Sequence, residues 1–165
     1  MELLRWDNAA KERTRTWFNT SDEEIRDCLM RGIAATIRVL EGLKAESFLK
    51  KTIENEGRFG CAHDPSLDHV GAVAAVCPTD VEHRILLALS FCEMRPTTRI
   101  YGSDKIYDGE SQLSTLIHEV THFADVFRSK DMQYNITESR KHAHRPNMHL
   151  NADSLTAFIL GTVRG

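Results

Sequence analysis

The residues with the clearest capacity for chemistry are His118 and His122, four positions apart, with Glu119 beside the first, in the sequence HEVTH. An α-helix advances about 3.6 residues per turn, so side chains four positions apart lie one above the other. Two imidazoles placed in this way can bind one Zn²⁺, and the adjacent carboxylate can take a proton from water at the open position of the metal. The same five letters also occur on ordinary solvated helices, so the surrounding sequence decides between the two interpretations.

The sequence around the motif predicts a helix that begins after Asp108 or Ser111 and ends near Phe127. Its apolar residues recur at spacings of three and four and form one stripe, which is typical of a helix that packs on a core. They are Leu113, Leu116, Ile117, Val120, Ala124 and Phe127. At about 100° per residue, His118 and His122 fall on the opposite side of the helix. Because the core leaves both histidines to another partner, the pattern favours a zinc site over a solvated helix face.

Catalytic zinc usually takes three protein ligands, so a third residue must be found outside the motif. A His six residues after His122 would extend one common pattern, but that position is Arg128. Glu138 is the only Glu after the motif, and it lies close to the helix. Asp131 remains, since a short turn after the helix can swing it back towards the histidines. An ordinary turn residue is the alternative for Asp131.

At this point the sequence resembles the aspzincins, the family of the deuterolysins and the peptidyl-Lys metalloendopeptidases. Their pattern is HExxH followed by GTxDxxYG, and here the second element is RSKDMQYN, in which the Asp and the Tyr match. The flanking Gly-Thr and the last Gly do not match. Glycine permits positive φ, and Asn135 tolerates that region better than Arg128 does. The segment NADS at 151–154 also resembles the family's NAD, which opens its last helix. The resemblance spans roughly residues 17–160 and is specific from Gly102 onward.

The resemblance implies a role for each matching residue near the motif. His118, His122 and Asp131 would bind one catalytic zinc ion. Glu119 would be the general base. Tyr134 would donate its hydroxyl to the oxyanion of the tetrahedral intermediate, as a positioned donor does in many enzymes. An ordinary half-buried aromatic side chain is the alternative for Tyr134.

The resemblance also implies the substrate. Asp153 would line the pocket for the residue after the scissile bond of a protein or peptide, and its carboxylate would favour Lys there. In the Lys-specific members a second acid follows three residues later, where this chain has Thr156. The alternative for Asp153 is a negative charge that stabilises the amino terminus of a helix.

Length and charge limit the remaining possibilities. A chain of 165 residues fits a single domain, 1–165, and can bury a real core. The formal charge of -3 and the absence of a basic block exclude nucleic acid as an implied partner. No apolar run approaches the roughly 20 residues that span a bilayer. The first residues interleave acids and bases and do not form a signal peptide. We nevertheless expect a secreted or exported protein, whose leader has been removed, whose sequence begins within a precursor, or whose export takes another route.

The four cysteines are Cys28, Cys61, Cys77 and Cys92, and none lies in a CxxC pair. A second, structural zinc site is therefore not expected. Cys92 ends an apolar strand candidate and Cys61 precedes another, so a disulfide between these two is the first expectation. Free buried thiols are the alternative.

These features together predict an α+β, zincin-like fold with long amino-terminal helices, a small sheet, the HExxH helix and a closing helix. The predicted helices cover residues 6–18, a second stretch from Thr20 or Ser21 to about Ile53, part of 136–149, and 151–160; the strands cover 58–62, 70–76 and 84–91, and a polar loop covers 99–109. By analogy with other zincins, residues 85–91 would be the sheet edge along the cleft.

Two other functions remain open on the sequence. One is an inactive zincin-like domain that binds a partner, which the altered loop 128–135 favours. The other is a toxin or effector domain of a larger secreted bacterial protein, which would be paired with an inhibitor or immunity protein. A digestion assay separates the first of these from an active zinc metalloendopeptidase.

Overall fold

The computed structural model of this chain describes residues 5–58, 72–97 and 110–162. These residues form a mixed α+β fold, as the sequence predicts. The helices are α1 (Asn8–Phe18), α2 (Glu23–Gly42), α3 (Ile53–Arg58), α4 (Gln112–His122), α5 (Ile136–Lys141) and α6 (Ala152–Thr162), and the strands are β1 (Phe48–Lys50), β2 (Ala74–Val76) and β3 (Ile85–Leu87). None of the helices in these ranges has the length and apolar character needed to cross a membrane. The predicted loop 99–109 lies outside the described residues.

The amino-terminal helix pair is present, but α2 differs from the prediction at both ends. It begins after Asp22, whose carboxylate accepts the N–H of the third residue that follows at 2.8 Å. The predicted cap, Thr20 or Ser21, is wrong because the Thr20 hydroxyl donates to Asp22 instead, at 2.8 Å. The helix ends at Gly42, well before residue 53, because Leu43 is extended with ψ of 137° and starts a turn that leads into β1.

The sheet has the order β1–β3–β2, with β1 parallel and β2 antiparallel to β3. The prediction that residues 85–91 form the sheet edge is wrong, because β3 has a partner on each side and the chain turns into a 3-10 helix at Leu89–Glu93. The strand that packs against α4 is β2. It confirms the end of the predicted strand 70–76, whose first two residues lie outside the described ranges. The predicted strand 58–62 begins with Arg58, which ends α3, and its other residues are not described.

The predicted disulfide between Cys61 and Cys92 is wrong. Cys92 is a free, exposed thiol in the 3-10 turn that follows β3, rather than a residue at the end of a strand. Cys28 is also a free thiol, whereas Cys77 is disulfide-bonded. Cys61 lies outside the described residues.

Helix α4 lies between two apolar clusters that together hold it in place. One cluster is formed mainly by α1, α2 and α6 and includes Ile117; the other lies against the sheet and includes Val120. Both residues belong to the predicted stripe and are buried, but Ala124 is exposed, because the helix ends before it. Phe123 takes its place in the sheet-side cluster and is fully buried. Because the two clusters cover two sides of α4, His118 and His122 lie on a third side of the helix.

A close approach of two segments fixes the chain that follows α4. The ring of Phe127 lies so near Gly32 of α2 that a Cβ on this glycine would overlap two ring carbons. Only glycine leaves room for this contact. The contact fixes the end of the reverse turn that leads to the next site residues.

Candidate metal centre

The amino terminus of α4 is fixed by a capping box between two serines. Ser111, one of the two predicted caps, accepts the N–H of Ser114 at 3.1 Å, and the Ser114 hydroxyl accepts the N–H of Ser111 at 2.8 Å. Both residues are buried. Because reciprocal caps of this kind satisfy free backbone donors, they define where the helix starts and thereby which side chains share each face. The other predicted cap, Asp108, lies outside the described residues.

The carboxyl terminus of α4 determines how the third site residue returns. The helix ends at His122 rather than near residue 127, because Phe123 is extended with ψ of 140° and buries its ring in the core. The chain then reverses, with Arg128 in the left-handed region at φ of 52°. The N–H of Ser129 donates to the carbonyl of Thr121 at 3.1 Å. This early end, which the sequence does not predict, brings the next residues back beside the histidines.

His118, His122 and Asp131 converge at this point. One potential ligand atom from each lies within 4.8 Å of the others. The Nε2 atoms of His118 and His122 lie 3.1 Å and 3.4 Å from Oδ1 of Asp131. Tetrahedral zinc with bonds of about 2.0–2.1 Å separates its ligand atoms by about 3.3–3.4 Å. The two separations from Asp131 are close to this spacing, and the two imidazole nitrogens lie within 4.8 Å of each other. Two imidazoles and one carboxylate are a donor set that suits zinc and leaves one position open.

The second nitrogen of each imidazole has an acceptor that fixes the orientation of the ring. Nδ1 of His118 lies 3.2 Å from Oδ1 of Asp153, and Nδ1 of His122 lies 3.0 Å from the carbonyl of Ser129. Acceptors at these positions favour the tautomer with the proton on Nδ1, which leaves the Nε2 lone pairs for a metal. Thr121 donates to the carbonyl of His118 at 2.7 Å, so the Ser129 hydroxyl, 2.7 Å from the Thr121 oxygen, is the donor in that pair.

The charges of the cluster are strongly coupled. Burial lowers the pKa of His118, but hydrogen bonds to Asp131 and Asp153 outweigh burial and raise this pKa well above its usual value. The pKa of His122 is raised for similar reasons, chiefly through Asp131. Burial raises the pKa of Asp131, but its hydrogen bonds with both histidines bring this pKa well below the usual range. Protons on Nε2 therefore stabilise the metal-free cluster, and a metal ion must displace them.

Glu119 lies next to the cluster and is only 8% exposed. Burial raises the pKa of its carboxyl group, and the nearby His118 and His122 oppose that shift. A buried carboxyl group with a raised pKa beside a potential metal site has the properties of a general base or acid.

Tyr134 and Asp153 lie at the same site. Tyr134 is 53% exposed, and its pKa is raised by partial burial and by the carboxylates of Asp131, Asp153 and Glu119. Asp153 lies in the first turn of α6, where one oxygen contacts His118 and the other accepts the N–H of Asn135 at 2.9 Å.

Three positions singled out in the sequence have informative geometry. Asn135 has φ of 61° and ψ of 155°, a region that glycine favours, and Arg128 also has positive φ. Both therefore adopt backbone conformations for which the family pattern uses glycine. Thr156 is 1% exposed, and its hydroxyl has no hydrogen-bond partner within the described part of the chain.

Sequence reasoning did not assign a positioning role to Ser129 or Asn151. Ser129 holds the imidazole of His122, and Asn151 is a buried amide that contacts the backbone after Asp131. Both residues do lie within the quoted motifs, since Ser129 occupies the Thr position of GTxDxxYG and Asn151 is the first residue of NADS. Both residues act through hydrogen bonds across the chain, and residue spacing alone does not reveal such bonds.

The helix with its paired histidines, the small sheet beside it and the returning Asp131 define a zincin-like peptidase fold. A solved structure with a similar fold is described as a zinc peptidase from Grifola frondosa, with a TM-score of 0.62 and 19% sequence identity. The match covers 98% of this chain and 85% of that chain. No family model and no curated protein matches the sequence.

Proposed function

We propose that this chain is a zinc-dependent endopeptidase of aspzincin type. The observation that carries the proposal is the convergence of His118, His122 and Asp131 within 4.8 Å, with Glu119 buried beside them. The zincin-like fold that the chain shares with a zinc peptidase supports the same reaction class.

The residues divide the chemistry among them. Zinc, when bound to His118, His122 and Asp131, supplies a Lewis acid that polarises a carbonyl and acidifies water. Glu119 takes the proton from the attacking water and passes it to the leaving amine. Burial raises the pKa of this carboxyl group, which makes the carboxylate a stronger base for the first step. Tyr134, exposed at the rim, donates its hydroxyl to the developing oxyanion.

Asp153 gives a graded preference for Lys after the scissile bond. Within the described part of the chain each of its two oxygens has one hydrogen-bond partner, so a second lone pair on each is left for a substrate ammonium group. Thr156 adds no charge at the position of the second acid. A single, partly engaged carboxylate attracts a cation but does not exclude neutral side chains.

The test is a peptide-library digest read by mass spectrometry. The wild-type chain should cleave internal bonds, lose activity with a chelator and regain it with zinc. Glu119→Gln should keep its zinc and lose cleavage, because the amide cannot accept the proton. Cleavage by Glu119→Gln at the wild-type rate would contradict the role of Glu119, and a zinc-loaded wild-type chain that cleaves no peptide would favour an inactive, partner-binding domain.

We also propose that the protein works in an oxidising compartment, as a secreted or exported protein does. The support is Cys77, which is disulfide-bonded, since such bonds persist mainly outside the reducing cytosol. Thiol labelling of the protein isolated from its source should find Cys77 blocked until a reductant is added. Quantitative labelling without reductant would contradict the proposal.

A further inference from the structure

Asn151 is a fully buried amide beside the segment that carries Asp131. Its Oδ1 accepts the backbone N–H of Met132 at 3.0 Å and that of Gln133 at 2.9 Å. These are the two residues that follow Asp131 in the chain. One side-chain oxygen therefore fixes the backbone immediately after the potential metal ligand.

The other end of the amide fixes its orientation. Nδ2 of Asn151 donates to the hydroxyls of Ser139 and Ser154, each at 3.1 Å, and both serines are fully buried. A rotated amide would place its NH₂ group against two backbone donors. All four hydrogen-bonding positions of the amide are thus used, and only one orientation satisfies them.

The backbone on the other side of Asp131 is tied to the same place. Lys130 donates its N–H to the carbonyl of Leu150 at 2.8 Å and accepts the N–H of Ala152 at 3.1 Å. The residues before and after Asp131 are therefore both attached to the start of α6. Asp131 itself remains free to direct its carboxylate at the two imidazoles.

We propose that Asn151 is a positioning residue for the metal centre. Its amide holds the backbone after Asp131 so that the carboxylate stays at Nε2 of His118 and His122 before a metal arrives. The inference rests on the proposed function, because it assigns Asn151 to the zinc site. A preorganised ligand binds a metal more tightly than one that must first be ordered, and partners behind the ligands typically contribute about 10–100-fold in affinity.

The test is the zinc dissociation constant of Asn151→Leu, measured by competition with a chromophoric chelator well below the unfolding temperature. Leu has a similar size but leaves the N–H groups of Met132 and Gln133 unpaired. We expect a dissociation constant about 10–100-fold above that of the wild type. Asn151→Asp keeps an acceptor for both N–H groups, and the Ser154 hydroxyl can donate to its second oxygen, so part of the affinity should return.

Thr36→Val is the matched control. Thr36 is also a fully buried polar residue, and its hydroxyl donates to the carbonyl of Gly32 at 2.8 Å, remote in sequence from the metal centre. This variant loses a buried hydrogen bond and should keep the wild-type zinc affinity. A loss equal to that of Asn151→Leu would mean that general destabilisation causes the effect, and would overturn the inference.

The remaining outcomes are also decisive. A folded Asn151→Leu chain with wild-type zinc affinity overturns the inference but leaves the proposed function standing. A wild-type chain that binds no zinc overturns both. If Asn151→Leu does not fold, hydrogen exchange in the wild-type chain decides: slow exchange of the Met132 and Gln133 amides supports the inference, and exchange at the rate of unprotected amides overturns it.

Discussion

Replacing Asp153 by Asn separates two roles for this residue, one implied by the family resemblance and one visible in the structure. The carboxylate uses one oxygen for Nδ1 of His118, at 3.2 Å, and the other for the N–H of Asn135, at 2.9 Å. An amide has one acceptor oxygen, so one of these two donors must face an NH₂ group. The His118 imidazole then loses part of the support that fixes its tautomer and orientation.

The expected cost follows from that loss. Removing a partner behind a metal ligand typically weakens binding by about 10–100-fold, which corresponds to about 1.4–2.7 kcal/mol. Competition titration of the Asp153→Asn chain with a chelator should show this shift in the zinc dissociation constant. Asp125→Asn is the matched control, because Asp125 also contacts a histidine, His83 at 3.0 Å, but lies outside the convergent cluster.

The two roles give different results. If Asp153 positions His118 as well as attracting Lys, zinc affinity falls and the preference for Lys is lost. If Asp153 acts only on the substrate, zinc affinity is unchanged and only the preference for Lys is lost. Unchanged zinc affinity in Asp153→Asn would refute the positioning role.

Three further predictions concern stability, each measured by urea unfolding. Gly32→Ala should destabilise the protein by about 1–3 kcal/mol, because the new methyl group overpacks against the Phe127 ring. Gly42→Ala is the control, since nothing lies within 4 Å of its new Cβ. It should be neutral or stabilise the protein by up to about 1 kcal/mol, because Ala has the higher helix propensity. Arg128→Gly should stabilise by up to about 1 kcal/mol, since it relieves a left-handed conformation at the cost of a more flexible unfolded chain. Burial alone would raise the pKa of Asp80, but its hydrogen bonds with Arg84 lower it, so Asp80→Asn should cost about 1–3 kcal/mol near pH 7. The pKa of Asp80 is lower in the folded chain than in the unfolded one, so its charge stabilises the fold fully at pH values above 3.8. The difference in unfolding free energy between Asp80→Asn and the wild type should therefore vanish as the pH falls through the lowered pKa.

Each of these predictions has an outcome that contradicts it. Equal effects of Ala at Gly32 and Gly42 would mean that the aromatic ring moves aside without cost. A destabilised Arg128→Gly chain would show that the arginine side chain contributes more than its backbone strain removes. A difference for Asp80→Asn that does not change with pH would exclude a contribution from its charge.

The local patterns around the motif predicted much of the site. Residues four positions apart on a helix share one face, so the sequence alone predicts that His118 and His122 lie together. The buried Ile117 and Val120 followed from the same period. The family resemblance then indicated Asp131, which the structure brings to both imidazoles.

The features that sequence did not predict depend on contacts between distant segments. Helix α4 ends at His122 because Phe123 packs into a core cluster that includes residues of the sheet. Strand β1 is not predicted, because its three residues, FLK, are too few to show the alternation of apolar and polar side chains that marks a strand. In the sequence, the helical pattern before it therefore continues through it. The role of Asn151 depends on the backbone of the returning loop, which a list of residue types cannot supply.

The central claim is that His118, His122 and Asp131 form a zinc site, and zinc content tests it most directly. The chain would be purified without chelator or added metal and its metals measured by mass spectrometry, beside His118→Ala and Asp131→Ala prepared in the same way. We predict one zinc ion per wild-type chain and a large loss in both variants. A folded wild-type chain that neither carries zinc nor takes it up on addition would contradict the claim.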